Sequence, residues 1–386
     1  MPAKFQWLTY QDWSKRYGDL LHISAFGHSI VIISSAKIAE ELFEKRSSIY
    51  SNRPSFEMLH LGGVGIDERL VNISTLPPFA TIGYCRPITP ADFFQTCTST
   101  LNTGWNMFAS TIIVRTVYGI EDQKLVDLNE RAMRNLEAVT IPGSFLVDMI
   151  PALKHVPSWV PGATFQKKAA AWKAEAAAVR DVPFQAAQDK NDNSQPRAIV
   201  TEMLEYISGL DPSLQSEEIE IAKGSTAVAY AAGVDSTIST TCCFILAMVL
   251  YPAVQGKAYA ELMNVVGRER LPEFSDRESL PYISAILKEY PKRSRAILHN
   301  AEVYPHPEDF SPDRFLVNGQ LDAAILDPIT AVFGFGRRIC PGKDFADDLL
   351  FIMIVSILHA YSIGPALDEN NEPLLPEVKM TPGFLS

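Results

Sequence analysis

Apolar positions along the 386-residue chain recur mainly at helical spacing, with one early exception. Near the start, "GDLLHISAFGHSIVIISSAKIAEELFEKRSSIY" alternates in two short runs, which predict two strands, and then places Ile38, Leu42 and Phe43 on one helix face. The middle, "ATFQKKAAAWKAEAAAVRDVPFQAAQDK", is rich in Ala, Lys and Glu and predicts a helix; the polar "NDNSQPRA" after it is a loop leading into another. From Ser216 an apolar stretch runs for about ten helical turns before Pro252 stops it, with few charges after Lys223. Such a helix is expected to be buried nearly all round. A second buried helix is expected over "FADDLLFIMIVSILHAYSI", after the proline-punctuated loop "PEDFSPDRFL". No internal repeat or low-complexity tract breaks this pattern, so the fold class is mainly α with small β-sheets, in a single domain spanning residues 1–386.

Composition narrows the function. Hydrophobic residues make up 47% of the chain, which is ordinary globular usage, and 34 basic against 45 acidic residues give a net charge of −11. An acidic total argues against nucleic-acid binding, which needs a clustered basic surface. The five cysteines, Cys85, Cys97, Cys242, Cys243 and Cys340, are odd in number and lack CxxC spacing, which disfavours a disulfide framework or a structural zinc site. The opening residues contain no apolar signal region, and no stretch reads as a clean membrane span, so a soluble, cytoplasmic chain is the expectation. The sequon at Asn72 is short enough to be chance.

The densest chemistry lies in "FGFGRRICPG", Phe333 to Gly342. Gly334 and Gly336 allow backbone conformations and close approaches that a Cβ forbids, so a flat or bulky group is expected against this loop. Pro341 suits the first turn of a helix, which would put the Cys340 sulfur at a helix N-terminus. There the dipole, with Arg337, Arg338 and Lys343, would favour the thiolate. A rigid thiolate facing such a space suits an axial metal ligand; the plainer reading is one more buried cysteine.

A second constellation is "AAGVDSTIST" within the long helix. Gly233 costs helix stability, and Asp235, Ser236 and Thr237 put an acid beside two hydroxyls in an apolar setting. They are expected to bond to a loosened helix, to water or to a ligand, although close packing of small residues between helices also accounts for the glycine.

Together these residues resemble the cytochrome P450 superfamily. F-x-x-G-x-R-x-C-x-G, filled by Phe333, Gly336, Arg338, Cys340 and Gly342, resembles its haem-binding signature, and Ala232, Gly233, Asp235, Ser236 and Thr237 resemble its A-G-x-D/E-T-T segment, with Ser236 at a usual threonine. "PEDFSPDRF" resembles the segment upstream of the cysteine loop, with Arg314 closing a structural Glu-Arg-Arg network, and several further stretches resemble fungal members. The resemblance implies haem b, with Cys340 as iron ligand and Arg338 at a propionate; Asp235 with Ser236 or Thr237 would relay protons. It also implies electrons from NADPH through a reductase docking near Arg337 and Lys343, which are otherwise ordinary solvated charges. A lipophilic small-molecule substrate follows, and by family a cytosol-facing place at the endoplasmic reticulum membrane, with peripheral contact.

Departures from the family pattern are equally specific. Its E-x-x-R becomes Glu289 followed by Lys292, with Arg293 one place late and Pro291 interrupting the helix. Only a few residues separate Glu289 from "AILHN", where the family has on the order of 40 more, a section that helps wall the core. W-x-x-x-R is missing, and the region expected to hold it, "GGVGIDERLVNISTLPPFATIGYCRPITP", reads as irregular loop. No N-terminal anchor precedes the fold, and the chain stops at "TPGFLS", short of the family's usual last hairpin. The expectation is an incomplete P450 fold, as a splice variant or misjoined exons would leave it. Three functions stay open: a monooxygenase, a haem-thiolate isomerase or dehydratase needing no reductase, and a degenerate, non-catalytic chain.

Overall fold

A computed structural model describes residues 6–25, 28–52, 57–63, 105–140, 144–190, 198–290 and 296–376. Helix α1 (Gln6–Tyr17) leads into the hairpin β1 (Leu20–Ala25) and β2 (His28–Ile33), antiparallel with Leu20 opposite Ile33. The expected helix after it forms in pieces: α2 (Ala36–Glu40), a π-helical turn (Glu41–Lys45) and α3 (Ser47–Tyr50). Then come α4 (Glu57–Leu61), α5 (Trp105–Tyr118), α6 (Gln123–Thr140), α7 (Leu146–Met149), α8 (Thr164–Lys190), α9 (Ile199–Ser208), α10 (Pro212–Leu250), α11 (Pro252–Val265) and α12 (Pro281–Glu289). The last part holds the short pair β3 (Leu316–Val317) and β4 (Gln320–Leu321), α13 (Ile329–Val332), α14 (Lys343–Ala360) and the pair β5 (Ala366–Leu367) and β6 (Pro373–Leu374). Mainly helix with small antiparallel sheets is the architecture the periodicity predicts. The region expected to hold W-x-x-x-R, beyond Gly63, the residues Pro291 to Arg295 and the final "TPGFLS" lie outside the described residues.

The largest apolar cluster among the described residues is built around α10 and α14. Residues Leu349 to Leu358 of α14 are all buried, as a run apolar but for Ser356 predicts, and its apolar side chains pack with Phe244 and Met248 of α10 and Ile283 and Ile286 of α12. Asp211 caps α10, accepting from the Ser213 N–H at 2.9 Å, and the helix runs 39 residues before Pro252. It is long and apolar enough to cross a membrane, contrary to the sequence expectation, but Tyr230, Phe244 and Met248 sit deep in the core. Nor is it buried all round: Val228, Ala232 and Ser236, four residues apart, lie on an open face. The sequence hides this face because alanine and serine are too small to mark it.

The segment before the cysteine loop is fixed by a buried ion pair. Glu289 and Arg314 retain only 2% and 8% of their side-chain exposure, and Arg314 Nε donates to Glu289 Oε2 at 2.9 Å. Arg314 also donates to the carbonyls of Pro305, His306 and Asp309, while Glu289 Oε1 accepts from the Ser311 N–H at 3.1 Å. Arg314 thus closes its half of the expected network. Removing one member of a buried pair strands the other. Arg314→Met is expected to lower stability by about 3–5 kcal/mol, read from the urea midpoint at unchanged slope.

Candidate functional site

The loop from Phe333 to Gly342 is closed by its own backbone. The Cys340 N–H donates to the Phe333 carbonyl at 2.7 Å, and the Ile339 N–H to the Gly336 carbonyl at 3.1 Å. Gly334 and Gly336 take φ of +79° and +58°, a left-handed geometry that explains both glycines. The close approach at Gly336 is to protein: a Cβ there would lie 1.8 Å from the Phe43 carbonyl oxygen. Its N–H donates to Glu44 Oε1 at 2.7 Å, and the Phe335 and Phe43 rings sit 6.4 Å apart. The expectation that both glycines make room for a flat ligand is therefore corrected at Gly336. Gly342 adjoins the sulfur; a Cβ there would be 3.9 Å from Cys340 Sγ.

Cys340 lies two residues before the cap of α14 and its sulfur accepts from the cap's N–H, but the expectation that this favours the thiolate is corrected. Helix α14 begins at Lys343 with Gly342 as its cap, so Pro341 precedes the helix. Although Cys340 reaches solvent, the protein around it pushes its thiol up from the ordinary value, with only the Gly342 N–H opposing. Arg337 is exposed, and Arg338 spends one of its donors on the Ser51 carbonyl at 2.9 Å. Lys343 and Phe333 are half-buried.

In α10 the three neighbouring polar residues enter three environments. Gly233 meets α5: a Cβ would come within 3.3 Å of the Ile113 side chain, so close packing accounts for it. Thr237 is buried and donates to the Gly233 carbonyl at 2.7 Å, whereas exposed Ser236 donates to the Ala232 carbonyl at 2.7 Å. These bonds reach back four residues in a helix that stays α throughout, so the expected loosening does not occur. Asp235 is half-buried beside α6; burial first, then Glu137 and Glu130, hold its carboxyl above the ordinary range.

Sequence reasoning missed the residues that connect these parts. Thr241 donates to Met353 of α14 at 3.2 Å, and the Tyr290 hydroxyl, pushed up by burial, bonds Thr240, tying the end of α12 to α10. Phe43, Glu44 and Ser51 carry no local signal, because their role is a contact with a loop almost 300 positions away.

Raising the Asp235 pKa sets a sign for stability. The folded state holds this proton more tightly than the unfolded one, so its carboxyl destabilises the fold increasingly as pH rises above the unfolded value. Asp235→Asn is expected to raise the thermal midpoint at pH 7, with the gain shrinking as pH falls toward the ordinary carboxylate range. A gain independent of pH would contradict burial of this charge as the cause.

Comparison with known proteins agrees with this geometry. The family model described as Cytochrome P450 matches residues 98–290 and 294–384. Cytochrome P450 monooxygenase 98 of Postia placenta is 33% identical over 434 aligned positions, covering 98% of this chain and 83% of that protein. A cytochrome P450 monooxygenase of Armillaria gallica is 34% identical, covering 97% and 84%, and monooxygenase COX1 of Coprinopsis cinerea is 31% identical, covering 97% and 84%. An alignment of 434 positions against 386 residues leaves at least 48 positions of the Postia relative without a counterpart here. The break in the family match, between 290 and 294, falls where the sequence places its missing section after Glu289. With its thiol loop intact and both halves of the match in order, the chain belongs to the cytochrome P450 family.

Proposed function

We propose that this chain is a haem-dependent monooxygenase that oxidises a lipophilic small molecule with O2 and reductase-supplied electrons. The observation that carries the reading is Cys340, solvent-reaching on a loop closed by its own N–H. Among the described residues no group of His, Cys, Asp or Glu is arranged to hold a metal ion. A lone sulfur on a rigid loop therefore fits a metal that brings its other ligands with it, as haem b does. Haem, when bound, supplies the oxygen-activating chemistry. Cys340 would hold its iron, Phe333, Gly336 and Gly342 would keep the loop in shape, and Arg338 would pair with a propionate.

On the oxygen side the environments separate the two hydroxyls. Ser236, on the open face of α10, is the group that passes a proton; Thr237, buried, and Gly233, packed on Ile113, keep that stretch of helix in place. Asp235, with its raised pKa, is the acid that resupplies it. Ser236 gives up its bond to the Ala232 carbonyl at 2.7 Å and the longer one to the Gly233 carbonyl at 3.4 Å when it does so. Exposed Arg337 beside the loop suits docking of an acidic NADPH-dependent reductase, and we assign the chain one P450 domain that lacks the segment after α12.

Reconstitution with haem, reduction and carbon monoxide tests the reading. The wild-type chain is expected to give the red-shifted band of a thiolate-ligated complex, and Cys340→Ser to lose it while α14 stays folded by circular dichroism. No haem uptake by the wild type would leave the non-catalytic reading.

Contact with a cytosol-facing membrane surface is the second part of the proposal. Leu146, Ile150 and Trp159 are 66%, 52% and 79% exposed around α7 and the turn after it, apolar side chains close in sequence and suited to a lipid surface. Exchanging Leu146 and Trp159 for serine is expected to reduce co-sedimentation with phospholipid vesicles several-fold without changing the carbon monoxide spectrum. Equal co-sedimentation of wild type and variant would place the contact elsewhere.

A further inference from the structure

The thiol loop is gripped from outside by a segment that sequence reasoning treats as an ordinary surface helix. Between α2 and α3 the chain takes a π-helical turn, Glu41–Lys45, a geometry that inserts an extra residue and recurs near functional sites. That turn puts the Phe43 carbonyl where only a glycine fits opposite it, at Gly336. It also delivers the Glu44 carboxylate to the Gly336 N–H, 2.7 Å away. The neighbouring cations do not compete for that carboxylate. Lys45 lies 3.2 Å from Glu41, and Arg46 pairs with Glu41 at 3.1 Å. A few residues on, the Ser51 carbonyl accepts from Arg338 Nε at 2.9 Å.

We propose that Glu44 is a positioning residue for Cys340. Its carboxylate holds Gly336, four residues before the sulfur, and so fixes the loop whose closing bond runs from Cys340 to Phe333. A charged acceptor gives this backbone donor a stronger bond than a neutral one, and it does so from an exposed position where the carboxylate has no packing role. The bond constrains the loop whether or not haem is present; its consequence for iron ligation rests on the function proposed above.

Two variants separate the bond from the charge. Glu44→Gln keeps an acceptor oxygen and Glu44→Ala removes it. In the full chain without haem, amide exchange at Gly336 and site-resolved alkylation of Cys340 by iodoacetamide are read together, with α14 amides as the control for folding. Glu44→Ala is expected to speed Gly336 exchange about tenfold, the factor for one lost bond of ordinary net strength. It should also change the Cys340 alkylation rate, with α14 unaffected and Glu44→Gln falling between wild type and Glu44→Ala on both readouts. After haem loading, Glu44→Ala should shift part of the ferrous carbon monoxide complex from the thiolate band to the neutral-thiol band, and Glu44→Gln should not. Wild-type exchange in Glu44→Ala, or a Glu44→Gln variant as impaired as Glu44→Ala, would overturn the proposal. Failure of the wild type to take haem would sink the monooxygenase reading, while the exchange and alkylation rates would still decide the role of Glu44.

Discussion

The Glu289 carboxylate is the constraint around which the cysteine end of the molecule is arranged. A charge with 2% of its surface left has given up its water and must be repaid in bonds, and it receives them from Arg314 and the Ser311 N–H. Arg314 in turn spends its other donors on the carbonyls of Pro305, His306 and Asp309, so a proline-rich stretch with little regular structure is pinned to the end of α12. From there the chain passes through β3, β4 and α13 into the thiol loop. The buried pair therefore fixes where that loop begins, and α14, buried along ten consecutive residues, fixes where it ends.

Between those anchors the loop depends on backbone geometry more than on side chains. Two left-handed glycines and the Cys340-to-Phe333 bond shape it, and a carbonyl and a carboxylate from the π-helical turn hold its outer side. Cys340 reaches solvent, while the protein around it holds its thiol proton more tightly than usual.

Helix α10 resolves a similar tension by distributing its polar groups. An unbroken helix satisfies the Ser236 and Thr237 hydroxyls on its own carbonyls, at a small cost in helix geometry, while Asp235 pays with a raised pKa beside two acids of α6. Small residues make this possible. Gly233 lets α5 approach, and Ala232 and Ser236 leave one face open, so the helix packs on one side and stays accessible on the other.

Helix content, the buried character of α14, the stop at Pro252 and the identity of the family were legible in the sequence, because periodicity, proline and a ten-residue motif are local properties of the chain. The short spacing after Glu289 is likewise a local property, and the family match is interrupted at that point, between residues 290 and 294. What stayed illegible depends on direction and on distant partners. No pattern distinguishes Ser236 on an open face from Thr237 in the core, since both are hydroxyls in one apolar helix. Nor does any pattern reveal that Gly336 is required by the Phe43 carbonyl, or that Glu44 and Ser51 hold a loop 292 and 287 positions further on. The sequence by itself determined the mainly helical fold and the family to which the chain belongs. Only the tertiary structure decided which face of α10 is open and how the thiol is held, because those are set by contacts between residues that share no local pattern.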